Sequence, residues 1–130
     1  MFFQFDETTT ERTIMGESKD FDPKWMLDLC RGDPHLFAEV RASFHVDAAK
    51  RIAEILDAID RGELVLLVRS AHTLKGICLT IGAASLASTA LAIEEAALAG
   101  DVDSARDATD LLIERSARLF EALDRPVVNP

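Results

Sequence analysis

The chain of 130 residues has room for one folded domain, because single hydrophobic cores typically occupy about 100 to 150 residues. Its residues are 48% hydrophobic and 28% charged, which excludes a disordered protein, and no apolar stretch reaches the roughly 18 to 20 residues of a membrane span. The net charge of −9 disfavours binding to nucleic acid, whose protein partners usually display a basic face.

Residues 1–19 show no sustained hydrophobic period and are predicted to form a flexible tail. The tail starts with MFFQF but runs directly into two acidic residues, without the basic and long apolar regions of a secretion signal. Cys30 and Cys78 fit no CxxC or Cys/His spacing, so we expect two small buried side chains rather than a disulfide or a zinc site. Together these features predict a cytoplasmic protein.

Asp-Pro pairs mark the start of two predicted helices, since aspartate caps a helix N-terminus and proline fits its first turn. Asp22 and Pro23 begin a short helix that ends at Gly32, and Asp33 and Pro34 begin a long one. The apolar residues of the long helix recur at threes and fours, and are Phe37, Val40, Phe44, Ala48, Ile52, Ile55 and Ile59.

Three further amphipathic helices follow along the chain. The third helix ends before Gly82, which suits a left-handed C′ position, the fourth stops at Gly100, and Asp101 or Asp103 can cap the fifth. Their buried stripes are predicted to be Leu64, Leu67, Ala71, Leu74, Cys78 and Ile81, then Leu86, Ala90, Ile93 and Ala97, then Ala105, Ala108, Leu112, Leu119 and Leu123.

The short connections between the four longer helices decide the predicted fold. Helices joined by a few residues must be near-antiparallel neighbours, so we predict an all-α fold, an antiparallel up-down four-helix bundle with the short N-terminal helix across one end. Trp25 is expected to anchor that short helix. The domain is placed at residues 20–125, before a C-terminal tail at 126–130, and a monomer is expected because one bundle closes its own core.

His72 is the residue with the clearest chemical setting. It lies about 100° around the third helix from the buried Ala71, on the rim of the bundle, with Lys75 and Gly76 beside it at i+3 and i+4. A glycine inside a helix costs roughly 0.5 to 1 kcal/mol relative to alanine. We favour clearance for a partner's active site as the reason for Gly76, the alternative being contact between crossing helices.

These residue types suit phosphoryl transfer. A neutral imidazole is nucleophilic near pH 7, so it can attack an acyl phosphate and later release the phosphoryl group. The ammonium of Lys75 can neutralise phosphoryl oxygens. His35 and His45 have no such Lys/Gly neighbourhood and are expected to be solvated.

The segment AHTLKG at residues 71–76 resembles the histidine-containing phosphotransfer (HPt) family of phosphorelays. The resemblance spans roughly residues 21–124 and includes Gly-Ala at 82–83, Leu86, Ile93-Glu94 and Gly100-Asp101. It implies a four-helix bundle in which His72 is phosphorylated, usually at Nε2, while Lys75 supports the phosphoryl charge and Gly76 leaves access for the partner.

The resemblance also implies a function and its partners. The chain is expected to be a phosphorelay intermediate that takes a phosphoryl group from the aspartyl phosphate of one receiver domain onto His72 and passes it to another receiver aspartate. Its partners would be response-regulator receiver domains, with a hybrid sensor kinase as a further candidate. No metal or cofactor of its own is implied, since the receiver domain brings the Mg²⁺.

The surface around His72 is expected to contact the receiver domain. The candidate contact residues are Val65, Val68, Arg69, Gly76 and Leu79. The apolar ones among them could equally be the edge of a wide core stripe. Ile77 and Leu79 are bulkier than the small or polar residues that commonly follow the Lys-Gly pair in the family, so partner contacts are expected to differ there.

Two other functional classes compete with phosphotransfer. A non-catalytic adaptor bundle would bind a signalling partner through the same rim, and would not need the imidazole of His72. A di-iron enzyme needs Glu-x-x-His pairs, which are missing, as are HExxH, a phosphate-binding glycine loop and a dinucleotide fingerprint. The sequence therefore predicts a phosphohistidine carrier without a kinase or ATP site.

Overall fold

The computed structural model describes residues 21–125, and this part of the chain is all-α. Its five helices are α1 (Pro23–Leu29), α2 (Pro34–Arg61), α3 (Leu64–Thr80), α4 (Ala84–Leu98) and α5 (Val102–Asp124). The tails predicted at residues 1–19 and 126–130 lie outside the described residues. No helix between residues 21 and 125 combines the length and the hydropathy that crossing a membrane requires.

Three of these helices begin at an aspartate whose side chain accepts a backbone hydrogen bond. Asp22 and Asp33 each accept the N–H of the residue two positions on, at 3.0 and 2.9 Å, with proline at the first helical position. Asp101, rather than Asp103, caps α5 by accepting the N–H of Ser104 at 3.1 Å. The caps satisfy N–H groups that have no partner within the helix and so fix where each helix begins.

The ends of α1 and α3 are set by residues with left-handed backbone. α1 ends at Leu29, earlier than the predicted end at Gly32, because Arg31 (φ 54°) and Gly32 (φ 72°) have both left the helical conformation. α3 ends as predicted: Thr80 is its last helical residue, and Gly82 (φ 77°) adopts the left-handed C′ conformation that glycine tolerates best.

The predicted apolar stripes form the core of the bundle. Their buried members are Phe37, Phe44, Ala48, Ile55, Ile59, Leu67, Ala71, Leu74, Cys78, Ile81, Leu86, Ala90, Ile93, Ala97, Ala105, Leu112, Leu119 and Leu123. Val40, Ile52, Leu64 and Ala108 are partly buried and pack at its edge. Cys30 and Cys78 are free, buried thiols, as expected, and burial raises the pKa of the Cys78 thiol to about 12. That thiol is therefore unreactive at neutral pH.

The four long helices pack in a closed ring, in which α2 contacts α3, α3 contacts α4, α4 contacts α5 and α5 contacts α2. Arg41, early in α2, donates to the carbonyl of Leu123 at the end of α5. Arg106, early in α5, donates to the carbonyl of Ile59 near the end of α2, so these two helices run in opposite directions. The outer face of α3 is consequently bordered by α2 and by α4.

Trp25 attaches α1 to the end of α3. Its indole Nε1–H donates to the carbonyl of Thr80 at 3.1 Å, while the residue stays 52% exposed. Met26, the next residue, is fully buried in the core. α1 therefore lies at the end of the bundle where α3 finishes, and Trp25 anchors it as predicted.

Candidate functional site

His72 lies in the middle of α3, and its side chain is 64% exposed. Leu67, Ala71 and Leu74 on the same helix are fully buried. Because successive helical residues are about 100° apart, this buried seam places His72 on the solvent side of α3. The rim position predicted from the helical period is confirmed.

The carboxylate of Glu94, on α4, joins two side chains of α3. Nδ1 of His72 lies 2.9 Å from Oε2 of Glu94, and Nζ of Lys75 donates to Oε1 at 3.1 Å. The Glu94 side chain is 13% exposed and that of Lys75 is 25% exposed, so solvent reaches this junction only in part. Glu94 was among the residues that carry the family resemblance, but the sequence assigned it no role, because its partners lie on another helix.

The charge of Glu94 decides which ring nitrogen of His72 carries the proton. Burial disfavours the charged form of Glu94, but hydrogen bonds from Lys75 and His72 outweigh that effect, so the pKa of the carboxyl lies below its ordinary value. The group is therefore a carboxylate at neutral pH and can only accept hydrogen bonds. Nδ1 of His72 must donate, and a neutral imidazole then keeps its lone pair on Nε2.

Gly76 lies one turn from His72 on the exposed side of α3. A Cβ built on Gly76 would meet no atom within 4 Å in the described part of the chain, apart from the neighbouring backbone of its own helix. The alternative explanation for this glycine was contact between crossing helices. No other helix within residues 21–125 comes close enough to require a glycine here. The space next to the imidazole is open, as clearance for a partner requires.

Exposed apolar side chains flank the imidazole. An open cavity of about 440 Å³ between α3 and α4 is lined by Val65, Val68, Arg69, His72, Glu94 and Leu98. Val65 is 76% exposed and Leu98 is 68% exposed, whereas Val68 is partly buried and packs against the core. Of the other predicted contact residues, Leu79 is 54% exposed on the same helix but does not line the cavity. Leu98 was not predicted.

The other two histidines lie outside this cluster. His35 and His45 are exposed, and the ring of His45 packs against Phe120 with 4.3 Å between ring centroids. Between residues 21 and 125, no three His, Cys, Asp or Glu side chains are grouped so that they could hold a metal ion.

A family model for the Hpt domain matches residues 39–125, which is more than half of the chain. The chain belongs to the Hpt domain family. The crystal structure of ZmHP2, a histidine-containing phosphotransfer protein from maize, is similar to this Hpt chain with a TM-score of 0.71 and 22% sequence identity, over 80% of each chain. No curated protein matches the sequence.

The family match confirms the resemblance that the AHTLKG segment indicated, and the maize structure confirms the helical-bundle fold. Hpt domains are phosphocarrier modules that interact with receiver domains, so this chain has a phosphotransfer role in two-component signalling. His72, Lys75, Gly76 and Glu94 all lie within the matched range, whereas α1 lies before it.

Proposed function

We propose that His72 is the phosphoryl carrier of a phosphorelay. Nε2 of His72 accepts the phosphoryl group from the aspartyl phosphate of one receiver domain and passes it to the aspartate of another. The proposal rests on the contact of 2.9 Å between Nδ1 and the Glu94 carboxylate, which leaves the nucleophilic lone pair on Nε2 of an exposed ring.

Lys75 supports the charge of the phosphoryl group. Its ammonium has three protons, one of which is donated to Oε1 of Glu94 at 3.1 Å. The remaining protons can be donated to phosphoryl oxygens on His72, one helical turn away. Phosphoryl transfer depends mainly on in-line positioning and charge neutralisation, both of which a lysine held in place provides.

The receiver domain docks over the open space at Gly76 and the exposed apolar side chains on the same side of α3 and α4 as His72. Val65, Leu79 and Leu98 give this surface an apolar character, and burying them against a partner is favourable. The receiver supplies the reacting aspartate and its Mg²⁺, so the chain acts as a carrier and not as a kinase. The receiver domain of a hybrid sensor kinase would supply the same reacting aspartate and Mg²⁺.

The test is phosphoryl transfer from a phosphorylated receiver domain in the presence of Mg²⁺. We expect the wild-type chain to take up phosphate that is acid-labile and alkali-stable, which is the behaviour of phosphohistidine. His72→Gln should remain helical by circular dichroism but take up none, and His45→Gln, at another exposed histidine, should be labelled like the wild type. Equal labelling of His72→Gln would overturn the proposal and favour a non-catalytic adaptor.

A further inference from the structure

A second cavity lies between α1 and the start of α2, apart from the cavity beside His72. Its volume is about 520 Å³. Within residues 21–125 its walls come from α1, α2 and the turn that joins them, whereas His72 and Glu94 lie on α3 and α4. All of these wall residues except Arg41 precede residue 39, where the match to the Hpt family model begins. The phosphotransfer role therefore does not account for this cavity.

The walls of the cavity combine apolar side chains with two guanidinium groups. Leu27, Pro34 and Phe37 supply apolar surface, and Arg31 and Arg41 supply positive charge. Cavities of about this size, in which apolar walls surround a few polar groups, are typical of sites for small molecules.

The positive charge in the cavity is not balanced by the protein. Neither Arg31 nor Arg41 has an ion pair within residues 21–125, and Arg41 instead donates to the neutral carbonyl of Leu123 at 3.4 Å. Among the wall residues of this part of the chain, Asp28 carries the negative charge, but it already accepts from Lys24 at 3.0 Å. The cavity thus has an excess of positive charge in a chain whose net charge is −9, and this excess favours an anionic ligand.

The cavity between α2 and α5 shows the opposite balance of charge. It has a volume of about 430 Å³ and is lined by Arg106, which also donates to a main-chain carbonyl, that of Ile59 at 3.5 Å. Asp60 and Asp110 line the same cavity, so carboxylates outnumber the guanidinium group there. An arginine bound to a carbonyl is therefore not by itself an anion site, and the cavity between α1 and α2 differs by its unbalanced charge.

The backbone of Arg31 is in the left-handed conformation, with a φ of 54°. Residues with a Cβ rarely adopt this conformation, which glycine tolerates at no steric cost. Strained positions of this kind cluster where the side chain has a function. The side chain of Arg31 is exposed and lines the cavity, so its function would lie there.

We propose that the cavity between α1 and α2 binds a small organic anion, in which a carboxylate is attached to an apolar body. Arg31 and Arg41 donate to the carboxylate, because a planar guanidinium group matches its two oxygens. The apolar body packs against Leu27, Pro34 and Phe37, which removes its surface from water. Inorganic phosphate meets the guanidinium groups but gains nothing from the apolar walls, and therefore binds more weakly.

The test is a titration of the full chain with 3-phenylpropionate, followed by NMR of the backbone amides. The neutral 3-phenylpropanamide and inorganic phosphate are titrated in parallel at the same ionic strength. We expect 3-phenylpropionate to shift the amide signals of residues 27–41 with a Kd of about 1 mM. The amide and the phosphate should each bind at least about tenfold more weakly.

Three variants locate the binding and separate it from stability. Arg41→Gln should weaken binding of 3-phenylpropionate about tenfold, because it removes a charge-assisted hydrogen bond. Arg106→Gln is the matched control, since Arg106 also donates to a carbonyl but lines the other cavity, and it should bind the probe like the wild type. Arg31→Gly should lose affinity by a similar factor, yet unfold at no lower a urea concentration than the wild type, because glycine tolerates the left-handed backbone.

Four results would each overturn the inference. They are equal affinity for 3-phenylpropionate and its amide, equal affinity for inorganic phosphate, equal weakening by Arg41→Gln and Arg106→Gln, and no saturable shift up to about 10 mM of 3-phenylpropionate. Binding at this cavity does not depend on the proposed function of His72, which labelling from a receiver domain tests separately.

Discussion

The indole ring of Trp25 occupies the space that a Cβ at Gly82 would need. A Cβ built there would lie 2.8 Å from Cγ of Trp25, and Gly82 also has a φ of 77°, which L residues rarely adopt. The turn that leaves α3 and the attachment of α1 therefore depend on the same glycine.

Gly82→Ala should lower the free energy of unfolding by about 2 to 4 kcal/mol, because a left-handed alanine costs roughly 1 to 2 kcal/mol and displacing Trp25 adds to that cost. Urea denaturation measures the loss. Gly100→Ala is the matched control, since Gly100 has a φ of 72° and a Cβ built there meets no atom of residues 21–125 within 4 Å, its two chain neighbours aside. It should lose about 1 to 2 kcal/mol only. Equal losses in the two variants would show that Trp25 moves aside without cost.

Gly76→Ala should change stability and phosphotransfer in opposite directions. Alanine in an open helical position raises the free energy of unfolding by roughly 0.5 to 1 kcal/mol. Beyond the backbone of its own helix, a Cβ at Gly76 meets no atom within 4 Å in the described part of the chain. The same methyl group narrows access to His72, so transfer from a receiver domain should slow, and Gly76→Val should slow it further. A stopped-flow or quench assay gives the rate. Unchanged rates in both variants would mean that the space above Gly76 is not used by the partner.

Leu98→Ser should weaken receiver binding while leaving the fold intact. Leu98 is 68% exposed and lines the cavity beside His72, so truncating it removes apolar contact with a docked partner. We expect a loss of about 1 kcal/mol, roughly fivefold in Kd, by titration calorimetry. Val46→Ser is the control, because Val46 is 67% exposed on α2 and does not line that cavity. Equal weakening by both changes would argue against a contact at Leu98.

The helices and their buried faces could be predicted because they depend on the period of each segment taken alone. The steps of three and four from Leu67 to Cys78 define the inner face of α3, and His72 then falls outside that face by the helical angle alone. Asp22 and Asp33 marked the starts of α1 and α2 for the same reason, since a cap acts on its own first turn.

The partner of Lys75 could not be predicted in this way. Lys75 was expected to support the phosphoryl charge, but its contact with Glu94 was not foreseen, since that contact depends on how α4 is rotated and offset against α3. The rotation and the offset of α4 are set by its close packing against the neighbouring helices. Neither can be read from the hydrophobic period of a single helix. Leu98 was missed for the same reason, because its exposure beside Val65 is a property of two helices together.

The hydrogen bonds of the site cross from α3 to α4, so its chemistry depends on the registration of these two helices. Adjacent turns of a helix are about 5.4 Å apart, and a slip of α4 by one turn would carry Glu94 beyond reach of both His72 and Lys75. Such a slip would leave the helical content unchanged while the imidazole lost its fixed tautomer. Loss of this registration would therefore impair phosphoryl uptake while the circular dichroism of the helices stayed the same.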